Sequence, residues 1–239
     1  MAKSGLGRRA LLLRGGRAAL LATSALVLTM TQRASAKAGD QLAEIALPPA
    51  DRQGGPALAA VLAKRRSIRE FSGGSLATPE LSQLLWAGQG ITNAAGYRTA
   101  PSAGALYPLE LYVAVAEVES LGAGIYRYAP ETHRLQPVAP GDRRRQVSQA
   151  ALSQGWIADS AMVIAIAAIP SRTTRKYGDR GVRYVHMEAG HVAQNVCLQA
   201  ACLDLAVTPV GAFRDDDVRR VLAMPDEAEP IYLLPVGRR

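Results

Sequence analysis

Sulfur is scarce in this chain, with two cysteines in 239 residues, Cys197 and Cys202. They stand five apart in an apolar helical pattern, on different faces of the helix and outside disulfide reach. With no CxxC and no metal-ligand spacing, neither a zinc site nor a disulfide framework has support. No GxGxxG, P-loop or GxSxG motif occurs, and there is no internal repeat or low-complexity tract. Acid is missing from the first 36 residues, which hold Lys3, Arg8, Arg9, Arg14, Arg17 and Arg33. That stretch accounts for most of the formal charge of +8, because the remainder carries 22 basic and 20 acidic residues. A nearly neutral body lacks the electrostatic footprint of a nucleic-acid binder.

What residues 1–36 do contain is the grammar of export. A basic start leads into an apolar run at residues 18–30, then the small-residue site Ala34-Ser35-Ala36 before Lys37. Cleavage is expected after Ala36. The run of 13 residues is shorter than the roughly 20 that a membrane-crossing helix requires, so no permanent span is expected. Arg8 and Arg9 ahead of the run resemble the twin-arginine signal that carries folded proteins across a bacterial inner membrane, which points to the periplasm. A protein exported already folded is one that acquires something beforehand, such as a cofactor. Residues 37–55, polar and aperiodic, read as an arm or linker, and residues 56–239 as one domain of ordinary size.

Within that domain, Leu58, Val61 and Leu62 mark a helix that ends in a basic cluster. Thr78, Pro79 and Glu80 predict the start of a second helix, with Leu81, Leu84 and Leu85 as its stripe and Gly88 and Gly90 as its stop. Alternation predicts a strand over 109–116, with Glu110 and Tyr112 on its outer face. A hairpin follows through Ile125, Tyr126 and Tyr128, turning at 129–132 and returning through Leu135. Residues 142–154 read as a helix with a solvated basic triplet at 143–145. Residues 161–169 are apolar without alternation, as in a central strand buried on both faces. A bare, alanine-rich helix is expected over 182–203, then strand 206–210, helix 215–222 and strand 230–236.

Three stretches carry chemistry. The first, KRRSIREF at 64–71, offers Arg65, Arg66, Ser67 and Arg69, and arginine forks meet phosphate oxygens with paired, charge-assisted hydrogen bonds. A solvated helix end, whose cations complement the dipole, is the plainer reading of the same residues. The second, APSAGALYP at 100–108, has the small residues that let backbone amides approach a planar ligand, or simply make a loop. The third is the terminus IYLLPVGRR, where Arg238 and Arg239 leave the end of a strand. Glu188 and His191 form a single ExxH, short of a ferritin-type metal site and read as packing or interface. His133 and His186 belong to no motif, and Tyr126 and Tyr128 read as cross-strand packing.

In this order these stretches, with IYRYAPETHRL, RGVRYVHMEAGHVAQNVCLQA and VTPVGAF, resemble the nitroreductase family of FMN-dependent oxidoreductases, from about Leu58 to the end. The likeness is strongest to the SagB-type branch of thiazole/oxazole-forming peptide dehydrogenases. The resemblance implies an α+β fold: a mainly antiparallel central sheet flanked by helices, in an intertwined homodimer with FMN at the shared interface. It implies that Arg65, Arg66, Ser67 and Arg69, joined by Arg238, take the FMN phosphate and ribityl chain. Pro101, Ser102, Ala103 and Gly104 would lie against the flavin from the partner subunit, with Val210, Gly211 and Ala212 on the ring's other side. The stretch TTRKYGDRG resembles the azoline-oxidising branch, which implies a proton-transfer role for Lys176 and Tyr177, otherwise residues of a solvated loop. The implied activity is hydride transfer between flavin N5 and a small organic or peptide-derived substrate. Azoline-to-azole oxidation and a non-catalytic flavin-binding or electron-carrying module are the alternatives.

Overall fold

The computed structural model describes residues 43–239. The expected export signal and the start of the arm lie outside the described residues. Seven strands form one antiparallel sheet: β1 (Ile45–Ala46), β2 (Leu109–Val115), β3 (Gly124–Ala129), β4 (Arg134–Pro140), β5 (Met162–Ala168), β6 (Leu205–Val207) and β7 (Glu229–Arg238), in the order β1-β4-β3-β2-β5-β7-β6. Six helices accompany it among the described residues: α1 (Leu58–Lys64), α2 (Thr78–Gln89), α3 (Arg144–Ala150), α4 (Ser171–Tyr177), α5 (Arg180–Cys202) and α6 (Asp215–Val221). This is the α+β, mainly antiparallel architecture expected.

The sheet is buried on both faces. From β5, Met162, Ile164 and Ile166 join Leu81, Leu84 and Leu85 of α2 and Val185, Val192 and Val196 of α5. Val163, Ala165 and Ala167 face the opposite way, toward Val147 of α3, Ile157, and Val218 and Leu222 from α6 and its end. Every residue of β5 is fully buried, as its unbroken apolar run requires. β2 departs from its alternation: Tyr112, expected on an outer face, is covered together with Ala114 by this second layer. Burial, reinforced by Glu110, pushes the Tyr112 hydroxyl up to about 12.

α2 begins one residue earlier than its threonine suggests. Ala77 takes the cap position, its N–H bonding Glu80 Oε2 at 2.7 Å, while the Thr78 hydroxyl donates to the Glu119 carbonyl. The arm is not wholly irregular either. Ile45 pairs with Leu135 in β1, Leu47 is buried, and the Ser82 hydroxyl donates to the Pro48 carbonyl at 2.6 Å. Aperiodic composition hid two apolar residues at i and i+2. The triplet at 143–145 is also more than a solvated face. Arg143 donates to the Val221 carbonyl at 2.8 Å, and Arg144 bonds Asp142, Glu117 and the Ser160 carbonyl. Only Arg145 of the three is exposed.

The register of β5 defines two ends of the sheet. Met162 lies opposite Val115 and Val236, and Ala168 lies opposite Leu109 and Glu229. At about 3.3 Å per residue those ends are roughly 20 Å apart.

Candidate functional site

The basic cluster lies at the Met162 end. Helix α1 stops at Arg65, and Arg66 caps it by donating from Nη1 to the Ala63 and Arg65 carbonyls at 2.9 and 2.7 Å. The chain then crosses this end of the sheet, with the Ile68 N–H on the Val207 carbonyl at 3.1 Å and the Ser72 N–H on the Arg238 carbonyl at 3.2 Å. Phe71 pins the crossing: its ring packs at 6.4 Å on Trp156, and a Cβ on Gly237 would stand 2.7 Å from it. Arg69 lies over the Trp156 ring at 5.8 Å. No hydrogen bond or ion pair among the described residues engages the side chains of Arg65, Ser67 or Arg69.

The neighbouring cations are committed. Lys64 and Arg239 share Asp204, at 2.9 and 3.0 Å, and hold its carboxyl below the usual range. Arg238 reaches this end of the sheet, but its guanidinium pairs with Glu80 at 2.6 Å and with the Ser75 carbonyl at 3.1 and 3.2 Å. Behind the cluster, burial pushes the Cys197 thiol up to about 11 against the pull of nearby Arg65. Both cysteines are free.

The loop bearing Pro101, Ser102, Ala103 and Gly104 lies at the other end, where it feeds Leu109 into β2. Its backbone is tightly wound: Gly104, Ala105 and Tyr107 have φ of 65°, 53° and 45°. Ser102 Oγ fixes the turn by accepting the Tyr107 N–H at 2.9 Å. Against it stands α4, so Lys176 and Tyr177 belong to a helix rather than a solvated loop. A Cβ on Gly104 would meet Tyr177 Oη at 2.8 Å and Lys176 Nζ at 3.1 Å. That position therefore needs glycine twice over, for its φ and for its space. The Tyr177 ring meets Tyr184 of α5 edge-on at 5.2 Å.

One helical turn beyond Tyr184 comes Glu188, which the sequence suggested was packing. It is 3% exposed, and its Oε1 has no partner among the described residues. Burial pushes its carboxyl up to about 7, against the pull of the Ser102 hydroxyl and Arg98. The sequence did hold a signal: Val185, Glu188, Ala189 and Val192 form an i, i+3, i+4, i+7 stripe, so the carboxylate interrupts a buried face. His191 and His186 are exposed, and among the described residues no group of His, Cys, Asp or Glu could hold a metal ion.

Val210, Gly211 and Ala212 run beside the middle of β7. Val210 exchanges backbone hydrogen bonds with Leu233 at 2.8 and 2.9 Å, and the Ala212 carbonyl accepts from Gln154 at 3.1 Å. Gly211 and Ala212 are exposed.

Residues 62–238 match the model of the nitroreductase family. The chain belongs to that family. A protein of Methanocaldococcus jannaschii that carries a nitroreductase name is 48% identical over 179 residues, 75% of this chain and 89% of the relative. A crystal structure from Ralstonia eutropha, also named for nitroreductase, superposes with a TM-score of 0.74 at 29% identity, covering 84% and 91% of the two chains. The microcin synthetase complex McbBCD of Escherichia coli shares the fold at a TM-score of 0.65 and 20% identity, over 83% of this chain and 79% of that one. The protein is thus an oxidoreductase by family. Among the described residues no helix is long and apolar enough to cross a membrane.

Proposed function

We propose that the protein is an exported, FMN-dependent oxidoreductase that acts as a homodimer on a small organic or peptide-derived substrate. One observation carries this reading: the two halves of the candidate site stand at opposite ends of one sheet, each half a site. Among the described residues the Met162 end offers cations without hydrogen-bond partners, while the loop end offers a glycine cradle, a lysine, a tyrosine and a buried carboxyl. A second copy of the chain brings one end of each protomer against the other end of its partner. Exposed apolar residues support that pairing, with Leu58 64%, Leu62 51%, Val182 42% and Met187 52% exposed on α1 and α5.

The residues fit the cofactor unevenly. Among the described residues nothing engages the donors of Arg65, Ser67 and Arg69, which leaves them for a phosphate, whereas Arg66 holds a helix end and contributes charge more than geometry. Arg238 joins them only by leaving Glu80. Pro101, Ser102, Ala103 and Gly104 give a flat ring a close backbone approach, with Val210, Gly211 and Ala212 on its other face. When bound, FMN supplies the hydride chemistry. The protein's own part is to fix the substrate and to move protons: Lys176 Nζ and Tyr177 Oη converge on the loop, where either can take a proton from substrate carbon.

The second reading, oxidation of a peptide azoline to an azole, draws on that same Lys-Tyr placement and on the fold shared with the microcin synthetase complex. The two readings differ in substrate and share the site. Purified processed protein tests both: it should be yellow, dimeric by sedimentation, and bleached anaerobically by a substrate. A colourless protein from flavin-replete cells would sink both readings; flavin that accepts electrons from nothing would leave only a binding module.

A further inference from the structure

A cavity of about 340 Å³ opens in the sheet itself, at the loop end and apart from the residues assigned above. Strand β2 pairs with β5 over its whole length but with β3 only over residues 112–115, so residues 109–111 and 128–129 splay into a notch. Guanidinium groups enter it from three elements: Arg98 from the loop after α2, Arg127 from β3 and Arg172 from α4. Arg127 and Arg172 both lean on Glu110, at 3.5 and 2.6 Å, and Arg98 pairs with Glu131 at 3.0 Å.

Two features mark this as more than an ion-pair network. Gln89, 1% exposed, lines the cavity; its Oε1 accepts from Arg98 at 2.7 Å, while its Nε2 has no partner among the described residues. A buried amide donor left without an acceptor costs stability, which a ligand oxygen would recover. The charges also fail to balance, since three arginines meet two glutamates. One excess positive charge suits a monoanion, and the glutamates oppose a phosphate dianion. The volume lies at the low end for small-molecule sites, roughly 300–1,000 Å³.

We propose that this notch binds the carboxylate of a small organic acid, held by Arg127 and Arg172 with the Gln89 amide as third donor. Tyr107 links the notch's arginines to the loop: Arg98 lies over its ring at 4.5 Å, Arg172 donates to its carbonyl at 3.4 Å, and its own N–H goes to Ser102. Arg172 stands one helical turn before Lys176 on α4, so an acid anchored here lies beside the helix that carries Lys176 and Tyr177. Naming that acid as the substrate rests on the flavin reading; the binding site itself does not.

Calorimetric titration of the purified protein with sodium benzoate, benzamide and inorganic phosphate tests the site. Benzoate should bind at least about tenfold more tightly than the other two, the scale of one lost charge-assisted hydrogen bond. Arg127→Met and Arg172→Met should each weaken it by a similar factor and Gln89→Leu by less, with Arg145→Met, at an exposed position, unchanged. If Arg172→Met fails to fold by circular dichroism, Arg172→Lys stands in and should retain part of the affinity. No benzoate binding up to about 10 mM, equal binding of benzamide, or indifference to the Arg127 and Arg172 variants would overturn the assignment. Flavin content, read by absorbance on the same samples, keeps the two readings separate: a colourless protein that binds benzoate through Arg172 refutes the flavin proposal and leaves this one standing.

Discussion

The two ends of the sheet solve opposite problems. At the Met162 end, charge lies toward solvent: Ser67 and Arg69 are exposed and Arg65 half-buried on an extended crossing, held by backbone pairing and the Phe71–Trp156 contact. At the loop end, polarity is buried: Gln89, Thr173 and Glu188 each keep an atom without a partner among the described residues, and three of residues 104–107 have positive φ. Exposed cations cost little in the free protein and wait for an anion, whereas buried orphan groups and strained backbone cost stability that a scaffold must overcome. On the reading proposed above, the first end captures and the second positions.

The largest expected effect would break the capturing end. Arg65→Ala with Arg69→Ala removes two charge-assisted partners worth about 1.5–3 kcal/mol each, so flavin retention should fall by roughly 100-fold or more with the melting temperature of the flavin-free protein unchanged. Retention equal to the parent's would remove the phosphate assignment. Next comes the link between ends. Met187→Glu, placing a charge in the exposed apolar stripe of α5, should shift a sedimenting dimer to monomer and release flavin; a dimer that survives it uses another face.

Two smaller effects sharpen the positioning end. Gly104→Ala should cost about 1–2 kcal/mol of stability for its left-handed backbone and displace the Tyr177 hydroxyl. Turnover is expected to drop further than that loss of folded protein explains, as comparison of denaturation and rate at one temperature would reveal. Glu188→Gln acts through pH. The folded carboxyl titrates near 7 rather than near 4.5, so the folded state binds the extra proton and its stability contribution, full below about 4.5, is lost as pH rises through about 7. The glutamine variant should flatten that decline; an unchanged slope in chemical denaturation across pH 5–8 would show that Glu188 is not its source.

Much of this was legible in the chain. The apolar run at β5 gave a central strand, and Leu81, Leu84 and Leu85 gave α2, because burial on a face imposes its period directly on the sequence. Arginine clustering singled out residues 64–69 for the phosphate proposal, since charge chemistry needs no tertiary context to be recognised. Less was legible where one residue's role depends on a distant one. Arg144 reads as a solvated cation until Glu117 and Asp142 meet it, Glu188 as packing until its helix is laid beneath Ser102, and Lys176 as a loop residue until α4 forms.

Local periodicity and side-chain type were enough for most element types, β1 and α4 excepted, for the central strand buried on both faces and for the residue chemistry of each candidate stretch. That the stretches fall at opposite ends of one sheet came from the tertiary structure. It alone decided that Arg238 answers to Glu80, and that Gly104 must be bare because a tyrosine and a lysine press on it. Register and contact between segments far apart in the chain are set by how the strands pair, and no single segment carries that information.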